Sequence, residues 1–396
     1  MIPTDYRFIT PLDVLFLRGN KLFGAPGSYG ESLIPPWPSV AAGALRSRIL
    51  VEDKVDLQAF AENRLPHPSL GTPMDPGSFT LTAFHLARRY MDGRVEMLMP
   101  LPADLVISRD LQEALQLQRL VPTALESAGI QHAFPLPLCP VLPAPQRNKS
   151  LSGYWLTETG WHQHLSGARI DHAHLVPQGH LWRLEDRVGI GLDPQQRSAA
   201  EGKLFTMQAV SLLQRGHALD PLHPTVVGDY DVGFVVGVTG ATLPRSGTLR
   251  LGGDGRGAQI SGMEHTPSEP DYAGMVQQKR ARIVLTSPGI FDAGWLPNGV
   301  RKTDQGDYIL ALEGVRGRLV CAAVSRSEVV SGWDVARRQP KTAQRVAPSG
   351  SVYWIDDLQA QPEALRKITT AGLWDPDSDN PSRRAEGFNR FTWAAW

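Results

Sequence analysis

The chain has 396 residues, of which 42% are hydrophobic and 20% charged, and its 40 lysines and arginines are balanced by 40 aspartates and glutamates. This length predicts about two domains, and the net charge of zero excludes a protein that coats nucleic acid through its overall charge, although it allows a local basic patch. The 38 glycines and 32 prolines favour short strands and shaped loops over long helical bundles.

The cysteine count suits a reducing compartment, and the apolar pattern predicts neither a signal peptide nor a membrane span. Two cysteines, Cys139 and Cys321, are too few for a disulfide framework. The first residues lack the basic and apolar regions of a signal peptide, and no stretch approaches about 18 uninterrupted apolar residues. We therefore expect a cytoplasmic protein with no membrane-spanning segment.

The N-terminal segment predicts a strand, a glycine-rich loop and a helix. Residues 5–17 alternate apolar and polar positions, as a strand does. "RGNKLFGAPGSYGES" (18–32) is a glycine-rich loop, and Ser39 is a suitable N-cap for the helix "VAAGALRSRILVE" (40–52). This order is typical of the opening of a βαβ-type or ferredoxin-like domain.

The middle of the chain predicts two helices and two irregular segments. Leucines at 111, 115 and 117 indicate a helix within 102–121, and 195–213 is predicted to be helical in its C-terminal half. The five prolines of 134–148 predict an extended connector. A histidine tract spans 162–180.

The spacing of that histidine tract is one that zinc or copper sites use. Its members are His162, His164, His172, His174 and His180. Neutral imidazoles at this spacing can ligate such metals, but the tract holds no cysteine and only one carboxylate, Asp171. We interpret it as a solvated insertion, and we predict neither a metal site nor a cofactor.

The C-terminal part predicts strands joined by glycine loops, and a domain boundary near 218–228. The boundary divides the chain into domains 1–222 and 223–396. The predicted strands are 229–240, 279–291, 316–325 and 350–356, and 246–260 is predicted to be a glycine-rich hairpin or loop.

One segment of this part carries an unusual charge. "VVSGWDVARRQPKTAQRVAPSGSVYW" (329–354) contains four cations, Arg337, Arg338, Lys341 and Arg345, against one acid, Asp334. Because it lies between two predicted strands, we expect a loop or hairpin long enough to project from a neutral body.

Enzyme signatures are absent from the sequence. There is no nucleophile elbow, no zinc-protease motif, no C-x-x-C and no Walker A loop. "GGDGRG" (252–257) faintly resembles the Gly-Gly-Asp turn of nucleotidyl cyclases, but a glycine stands where a two-metal site needs a second carboxylate. We therefore predict a loop that makes backbone contacts, and no catalytic residue.

The glycine loops lie next to cations throughout the chain, a pattern that suits a polyanion. Glycine lets the backbone approach a phosphate closely, arginine and lysine neutralise it, and aromatic side chains such as Trp333 and Tyr353 can stack on bases. Solvated cations and ordinary turns explain any single site, but several such sites in one neutral chain favour a shared polyanionic ligand.

Five collinear blocks resemble the RAMP-superfamily proteins that form subunit three of the type III-B CRISPR (Cmr) complex. They are "PLDVLFLRGNKLFG" with "PPWPSVAAGALRSRIL", "RVGIGLDPQQRSAAEGKLF", "LRLGGDGRGA", "TSPGIFDAGWLP" and the basic segment 329–354. Two features depart from the family pattern: "LFLRGN" stands where relatives often have an Arg-Asp-Gly turn, and the histidine tract has no counterpart.

The resemblance implies an α+β protein of two ferredoxin-like (RRM-like) domains that helps hold the 5′ handle of the CRISPR RNA. The implied partners are the large polymerase-like subunit and a backbone RAMP subunit, with target RNA met only indirectly, and catalysis belongs to other subunits. The candidate RNA-binding residues are Arg18, Lys21, Ser39, Arg46, Arg197, Lys203, Arg256, Lys279, Arg280, Trp333, Arg337, Arg338, Lys341 and Arg345.

Two alternatives stay open at this point. The chain can be a scaffold whose loops meet only protein partners. It can also be a metal-independent endoribonuclease, because related RAMP proteins cut repeat RNA with histidine or tyrosine–lysine sites.

Overall fold

The computed structural model describes residues 3–17, 19, 29–126, 129–144, 149–193, 195–196, 198–221, 223–334, 337, 339–375 and 380–396, and only the backbone of 201–203. Most of its regular structure is strand, with short helices beside the sheets. The predicted α+β class is therefore confirmed.

The first large sheet contains eight strands of the described part of the chain. In spatial order they are β10 (Leu175–Pro177), β9 (Tyr154–Thr157), β4 (Val95–Pro100), β3 (Thr80–Tyr90), β15 (Tyr230–Thr239), β1 (Asp5–Pro11), β17 (Gly257–Gly262) and β16 (Ser246–Arg250). Every residue of β15 except Thr239 is buried, so this strand lies at the centre of the fold.

The second large sheet contains six strands of the described residues. In spatial order they are β19 (Val300–Lys302), β20 (Tyr308–Leu312), β21 (Val315–Ala323), β26 (Val352–Gln359), β18 (Ala281–Leu285) and β27 (Phe391–Ala394). All of its ladders are antiparallel.

Smaller ladders surround the two sheets. A third sheet joins β11 (Trp182–Leu192), β12 (Ala199–Leu212) and β2 (Tyr29–Gly30). The two-stranded ladders among the described residues pair β5 (Leu105–Arg109) with β6 (Leu115–Arg119), β7 (Val121–Thr123) with β8 (Cys139–Val141), β13 (Ala218–Asp220) with β14 (His223–Val227), β22 (Glu328–Val330) with β25 (Gln344–Val346), and β23 (Trp333–Asp334) with β24 (Gln339–Pro340).

The helices found in the described residues are short. They are α1 (Pro38–Glu52), α2 (Leu57–Ala61), α3 (Glu158–Leu165), α4 (Tyr272–Gln278), α5 (Pro362–Ala371) and α6 (Pro381–Ala385). Single 3₁₀ turns occupy His172–His174, Gln178–His180 and Gly253–Gly255. No helix in this part of the chain is long and apolar enough to cross a membrane.

Helix α1 packs on the first sheet, but it begins earlier than the sequence predicts. Ala41, Leu45 and Ile49 form one face at helical spacing and are buried in the same core as strand β15. The N-cap is Trp37, without a side-chain cap, and Pro38 is the first helical residue. Ser39 as the N-cap is therefore wrong, because proline's fixed φ is already suited to the first helical position.

The two large sheets share an apolar core. Met99 and Leu156 from the first sheet pack with Val352 and Trp354 from the second. Cys139 and Cys321 are both free and buried.

The predicted helix within 102–121 is wrong, because these residues form the β5–β6 hairpin. Leu105 and Ile107 are buried at every second position, whereas Leu111 is 87% exposed in the turn. The alternation in "LQLQR" indicates a strand.

The predicted helix in the second half of 195–213 is also wrong. This segment is strand β12, paired with β11 from Trp182↔Leu212 to Leu192↔Ala199. The long antiparallel partner strand supplies the hydrogen bonds that the backbone of this segment needs. Pairing between the strands therefore overrides a weak local helical preference.

Each remaining predicted strand contains a strand, although 5–17 is one only over Asp5–Pro11 and 279–291 only over Ala281–Leu285. The segment 246–260, predicted as a hairpin or loop, forms the hairpin of β16 and β17. The first sheet takes strands from both sides of residue 222, because β15, β16 and β17 follow it in the chain. The division into two domains stays a prediction.

Candidate RNA and subunit interface

Residues 328–346 form a two-part hairpin between β21 and β26, here called the basic hairpin. Its base is the β22–β25 ladder, where Val330 and Val346 are buried with Trp37 and Trp374. Its outer part is the β23–β24 ladder. The predicted hairpin is confirmed, and its apolar base anchors the outer part to the body of the protein.

The buried carboxylate of Glu386, the residue after α6, links the basic hairpin to this helix. Glu386, only 6% exposed, accepts hydrogen bonds from Lys341 Nζ and, at 2.9 Å, from Arg383 Nη1. Arg383 also donates to Gln344 Oε1 at 3.0 Å and to the carbonyl of Ser331 at 3.3 Å. Lys341, a predicted RNA contact, is therefore neutralised inside the chain.

A second predicted residue, Arg46 of α1, is also held by contacts inside the chain. Its guanidinium donates to the carbonyl of Leu70 at 3.3 Å and lies 5.8 Å from the ring centre of Phe79. Burial lowers the pKa of Arg46, and the charge of Glu386 opposes that lowering. Arg46 is therefore half-buried, with its guanidinium held by a carbonyl and a ring of its own chain.

Three of the predicted residues on the basic hairpin are exposed: Trp333 and Arg337 in its outer part, and Arg345 on β25 in its base. Trp333 is 59% exposed. The backbone N–H of Arg337 donates to Asp334 Oδ1 at 2.9 Å, and its guanidinium lies 3.9 Å from the same carboxylate. Arg345 is exposed and pairs with no acid among the described residues. An exposed tryptophan beside a weakly held arginine suits a base or a partner protein.

The glycine loop 251–257 packs on the segment that leads into the first glycine loop. Gly252 has φ of 78°, and a Cβ there would lie 2.8 Å from the carbonyl oxygen of Phe16, so only glycine fits. Arg256 Nη1 lies 3.0 Å from Asp13, and its guanidinium carbon lies 4.7 Å from the ring centre of Phe16. Arg256 is therefore also paired inside the chain.

The two ends of loop 18–32 are held by different elements. The N–H of Leu33 donates to the carbonyl of Leu17 at 2.7 Å, and Leu33 packs against the aromatic cluster under the basic hairpin. Strand β2 pairs with β12, and Tyr29 donates its hydroxyl to Asp186 Oδ1 at 2.8 Å. The basic hairpin, loop 251–257 and the β11–β12 ladder therefore gather around the ends of this loop.

The β11–β12 ladder, here called the long hairpin, carries an exposed aliphatic surface that the sequence analysis missed. Its exposed fractions are 45% for Leu184, 70% for Val188, 54% for Ile190, 66% for Leu192 and 58% for Leu204. Exposed aliphatic patches of this kind mark contact surfaces. The alternation from Val188 to Leu192 was the signal, because it predicts a strand with an apolar face.

Lys279 and Arg280 lie away from this group. They follow α4, at the opposite end of β18 and β26 from the basic hairpin. Arg280 Nε lies 2.9 Å from Asp356, and the guanidinium carbon lies 4.8 Å from the ring centre of Trp396. The structure does not bring these two residues together with the other predicted contacts.

Five of the predicted contacts cannot be compared with the structure. Arg18, Lys21, Arg197 and Arg338 lie outside the described residues, and for Lys203 only the backbone is described. Ser39 is half-buried in the first turn of α1.

A buried charge network joins strand β18 of the second sheet to helix α3 and to the turn that follows β4. His164 Nε2 lies 2.8 Å from Asp104 Oδ1, and Arg282 donates to the other Asp104 oxygen and, at 2.7 Å, to the carbonyl of His164. Arg282 Nε also donates to the carbonyl of Ala395 at 2.8 Å. All three side chains are at most 2% exposed.

The network holds Asp104 charged and His164 neutral. Burial alone would raise the pKa of Asp104, but His164 and Arg282 hold it below its ordinary range, at about 2. Burial lowers the pKa of His164 to about 4, with Asp104 opposing and Arg282 adding to the effect. His164 Nδ1 has no partner among the described residues, as expected for a neutral ring protonated on Nε2.

Acidification is therefore expected to destabilise the chain below about pH 6.5. The unfolded state takes up a proton at His164 near its ordinary pKa, whereas the folded state does so only near pH 4, so this group costs about 2 kcal/mol of stability at pH 5. Thermal unfolding between pH 7.5 and 5 measures it. The His164→Gln variant should show a shallower dependence, whereas exposed His172→Gln should leave it unchanged. Equal slopes in both variants would contradict the assignment.

The histidine tract is not the solvated insertion that the sequence suggested. His164 is completely buried in the network, and His174 Nδ1 lies 3.0 Å from Thr157 Oγ1. His162 Nε2 lies 2.6 Å from Ser268 Oγ. Within the described ranges, no three histidine, cysteine or acidic side chains are arranged to hold a metal ion.

Comparison with known proteins agrees with the resemblance seen in the sequence. The family model described as CRISPR-associated protein (Cas_Cmr3) matches residues 7–396. A chain of the type III-B Cmr-beta complex bound to cognate target RNA and AMPPnP, seen by cryo-electron microscopy, is 14% identical with a TM-score of 0.44, over 96% of this chain and 93% of that one. A chain of the same complex bound to cognate target RNA has the same identity and TM-score, over 98% of this chain and 96% of that one.

These structural likenesses are too distant to support an argument about function, and no curated protein matches the chain. The family model is decisive because it covers almost every residue. The chain therefore belongs to the Cmr3 family of CRISPR-associated proteins, which are subunits of the type III-B effector complex.

Proposed function

We propose that this subunit helps hold the 5′ handle of the CRISPR RNA and joins the large polymerase-like subunit to the backbone subunits. The observation that carries the proposal is the gathering of the basic hairpin, loop 251–257 and the long hairpin around the ends of loop 18–32. Glycine-loop amides and arginines fix phosphates, and a splayed base can stack on Trp333. In this role the chain contributes no catalysis, and target RNA is met only indirectly.

We also propose that each large sheet is a ferredoxin-like domain. In the first, β17, β1, β15 and β3 lie side by side, which places four strands in the order fourth, first, third, second, with α1 between the first two in sequence. In the second, β27, β18, β26 and β21 follow the same order, with α5 before the last. On this assignment the domain boundary falls between β17 and β18.

The basic hairpin is expected to contact phosphates through Arg337 and Arg338. Replacing Arg337 and Arg338 with alanine should reduce the slope of log affinity for guide RNA against log salt by roughly one to two units. With fewer phosphates neutralised by the protein, fewer counterions are released from the RNA on binding. The measurement is a salt titration of RNA binding by the reconstituted complex. Arg109→Ala, an exposed arginine of the β5–β6 hairpin that is not a candidate RNA contact, is the control. An unchanged slope in the double variant would exclude the phosphate role.

The aliphatic face of the long hairpin is expected to bury against a neighbouring protein subunit. Replacing Val188 and Ile190 with serine should weaken incorporation of the chain into the complex by at least about tenfold. Each variant side chain would bury less apolar surface on association, so the hydrophobic contribution to binding falls. Quantitative pull-down with a tagged neighbouring subunit measures this. Val226→Ser with Val227→Ser, exposed on β14, is the matched control. Normal incorporation of the Val188/Ile190 variant would contradict the assignment.

A specific observation also favours the scaffold alternative. Lys341 is paired with Glu386 and Arg256 with Asp13, so two predicted RNA contacts are already neutralised within the chain. Cross-linking of the assembled complex separates the two functions. Cross-links from the basic hairpin to guide RNA support handle binding, and cross-links to protein alone support a scaffold.

The endoribonuclease alternative is tested on the isolated chain. Incubation with repeat RNA in the presence of a chelator should give no cleavage, because handle holding needs no bond to be broken. Cleavage at a defined position would support the nuclease and overturn the non-catalytic assignment.

A further inference from the structure

A cavity of about 700 Å³ lies beside the core that the two sheets share. The residues that line it include Leu120, Phe134, Pro135, Trp295 and Val324. This volume and this mainly apolar lining fall within the range of sites that bind small molecules or peptide side chains.

Backbone hydrogen bonds hold wall residue Ala103 and residues close in sequence to the cavity wall. The N–H of Leu138 donates to the carbonyl of Val320 at 3.0 Å, and the N–H of Ala103 donates to the carbonyl of Gly350 at 2.8 Å. The site is therefore formed before any ligand arrives, which reduces the entropy that binding must overcome.

Arg345 is the single charged side chain on the cavity wall among the described residues. It is exposed, and no acid in the described part of the chain pairs with it. Ser325 and Ser327 lie on the same wall and offer hydroxyl groups. An unpaired guanidinium at an apolar wall is suited to a carboxylate, which it can bind through two parallel hydrogen bonds.

We propose that this cavity receives a short apolar peptide segment of a neighbouring subunit, with one of its carboxylates bound to Arg345. A single cation suits one carboxylate, whereas an RNA strand brings one negative charge for every nucleotide and needs several cations. Pro135 and Pro140 on the wall have no N–H to offer to phosphates. This assignment rests on the proposed function for its setting, and it moves Arg345 from the RNA contacts to the protein contacts.

The test places a photoreactive benzoylphenylalanine at Ser327 in the complex assembled with guide RNA. Irradiation should attach this position to a neighbouring protein subunit, at a peptide that combines apolar residues with an acidic side chain or a C-terminal carboxylate. Arg345→Glu should lower the yield about tenfold, and Arg345→Lys should largely preserve it. The same photoreactive residue at exposed Ser246, on edge strand β16, controls for random contact. Unchanged melting temperatures confirm that the variants fold.

The outcomes separate this inference from the proposed function. If an RNA-containing particle forms, three results overturn the peptide site alone: a cross-link from position 327 to RNA, no cross-link, or a cross-link yield that Arg345→Glu does not change. Failure of the wild-type chain to enter any RNA-containing particle overturns the proposed function, and the peptide site with it.

Discussion

Replacing Asp104 with alanine is expected to lower the free energy of unfolding by about 3–5 kcal/mol. Asp104 is fully buried in the turn after β4 and, among the described residues, supplies the single carboxylate in the network of His164 and Arg282. Its removal leaves the Arg282 guanidinium buried without a counter-charge, and this penalty exceeds what the original pair contributed. Because the network joins β18 to α3 and to this turn, these elements should be destabilised together.

Urea unfolding of the purified chain, followed by tryptophan fluorescence, measures this effect. The matched control is Asp307→Ala, because Asp307 is 45% exposed and lies 3.9 Å from Arg318. Its loss should cost less than about 1 kcal/mol, as for other exposed ion pairs. Equal losses in the two variants would show that the buried network does not stabilise this junction.

Replacing Glu386 with glutamine is expected to lower the free energy of unfolding by about 3 kcal/mol and to loosen the basic hairpin. Glutamine keeps the shape of the side chain but removes the charge that Lys341 and Arg383 share. Arg383 is almost completely buried, so its charge would lose its nearest counter-charge. The base of the basic hairpin would then be held mainly by Val330 and Val346.

Two readings distinguish this anchoring role from a general loss of stability. Amide hydrogen exchange at the β22–β25 ladder should accelerate more than exchange in β15, and guide-RNA retention by the complex should fall. The control is Glu363→Gln, an exposed residue in the first turn of α5, which should cost less than about 1 kcal/mol. Uniform acceleration across both regions would contradict an anchor at Glu386.

The sequence predicted the elements whose signals are local. The buried helix α1, the apolar strand β15 and the glycine hairpin of β16 and β17 carry periodicity and turn residues within their own spans. The predicted helices at 102–121 and 195–213 failed because short apolar runs suit either period. Their partner strands, β5 with β6 and β11 with β12, decided the outcome.

The candidate site shows the same division. The sequence alone shows the positive charge of the basic segment, which includes Arg337 and Lys341. It also shows the family resemblance that the family model confirms. The aliphatic face of the long hairpin was missed, because exposure depends on what covers a strand. The burial of His164 was missed for the same reason.

The sequence by itself determined the neutral overall charge, the concentration of cations in one segment, and membership of the Cmr3 family. Only the tertiary structure decided which cations of the chain are already paired. It brings Lys341 to Glu386, Arg256 to Asp13 and Arg282 to Asp104, and it leaves exposed Arg345 without an acid in the described part of the chain. The physical reason is that a counter-charge acts over a few ångströms of space, whatever its separation along the chain.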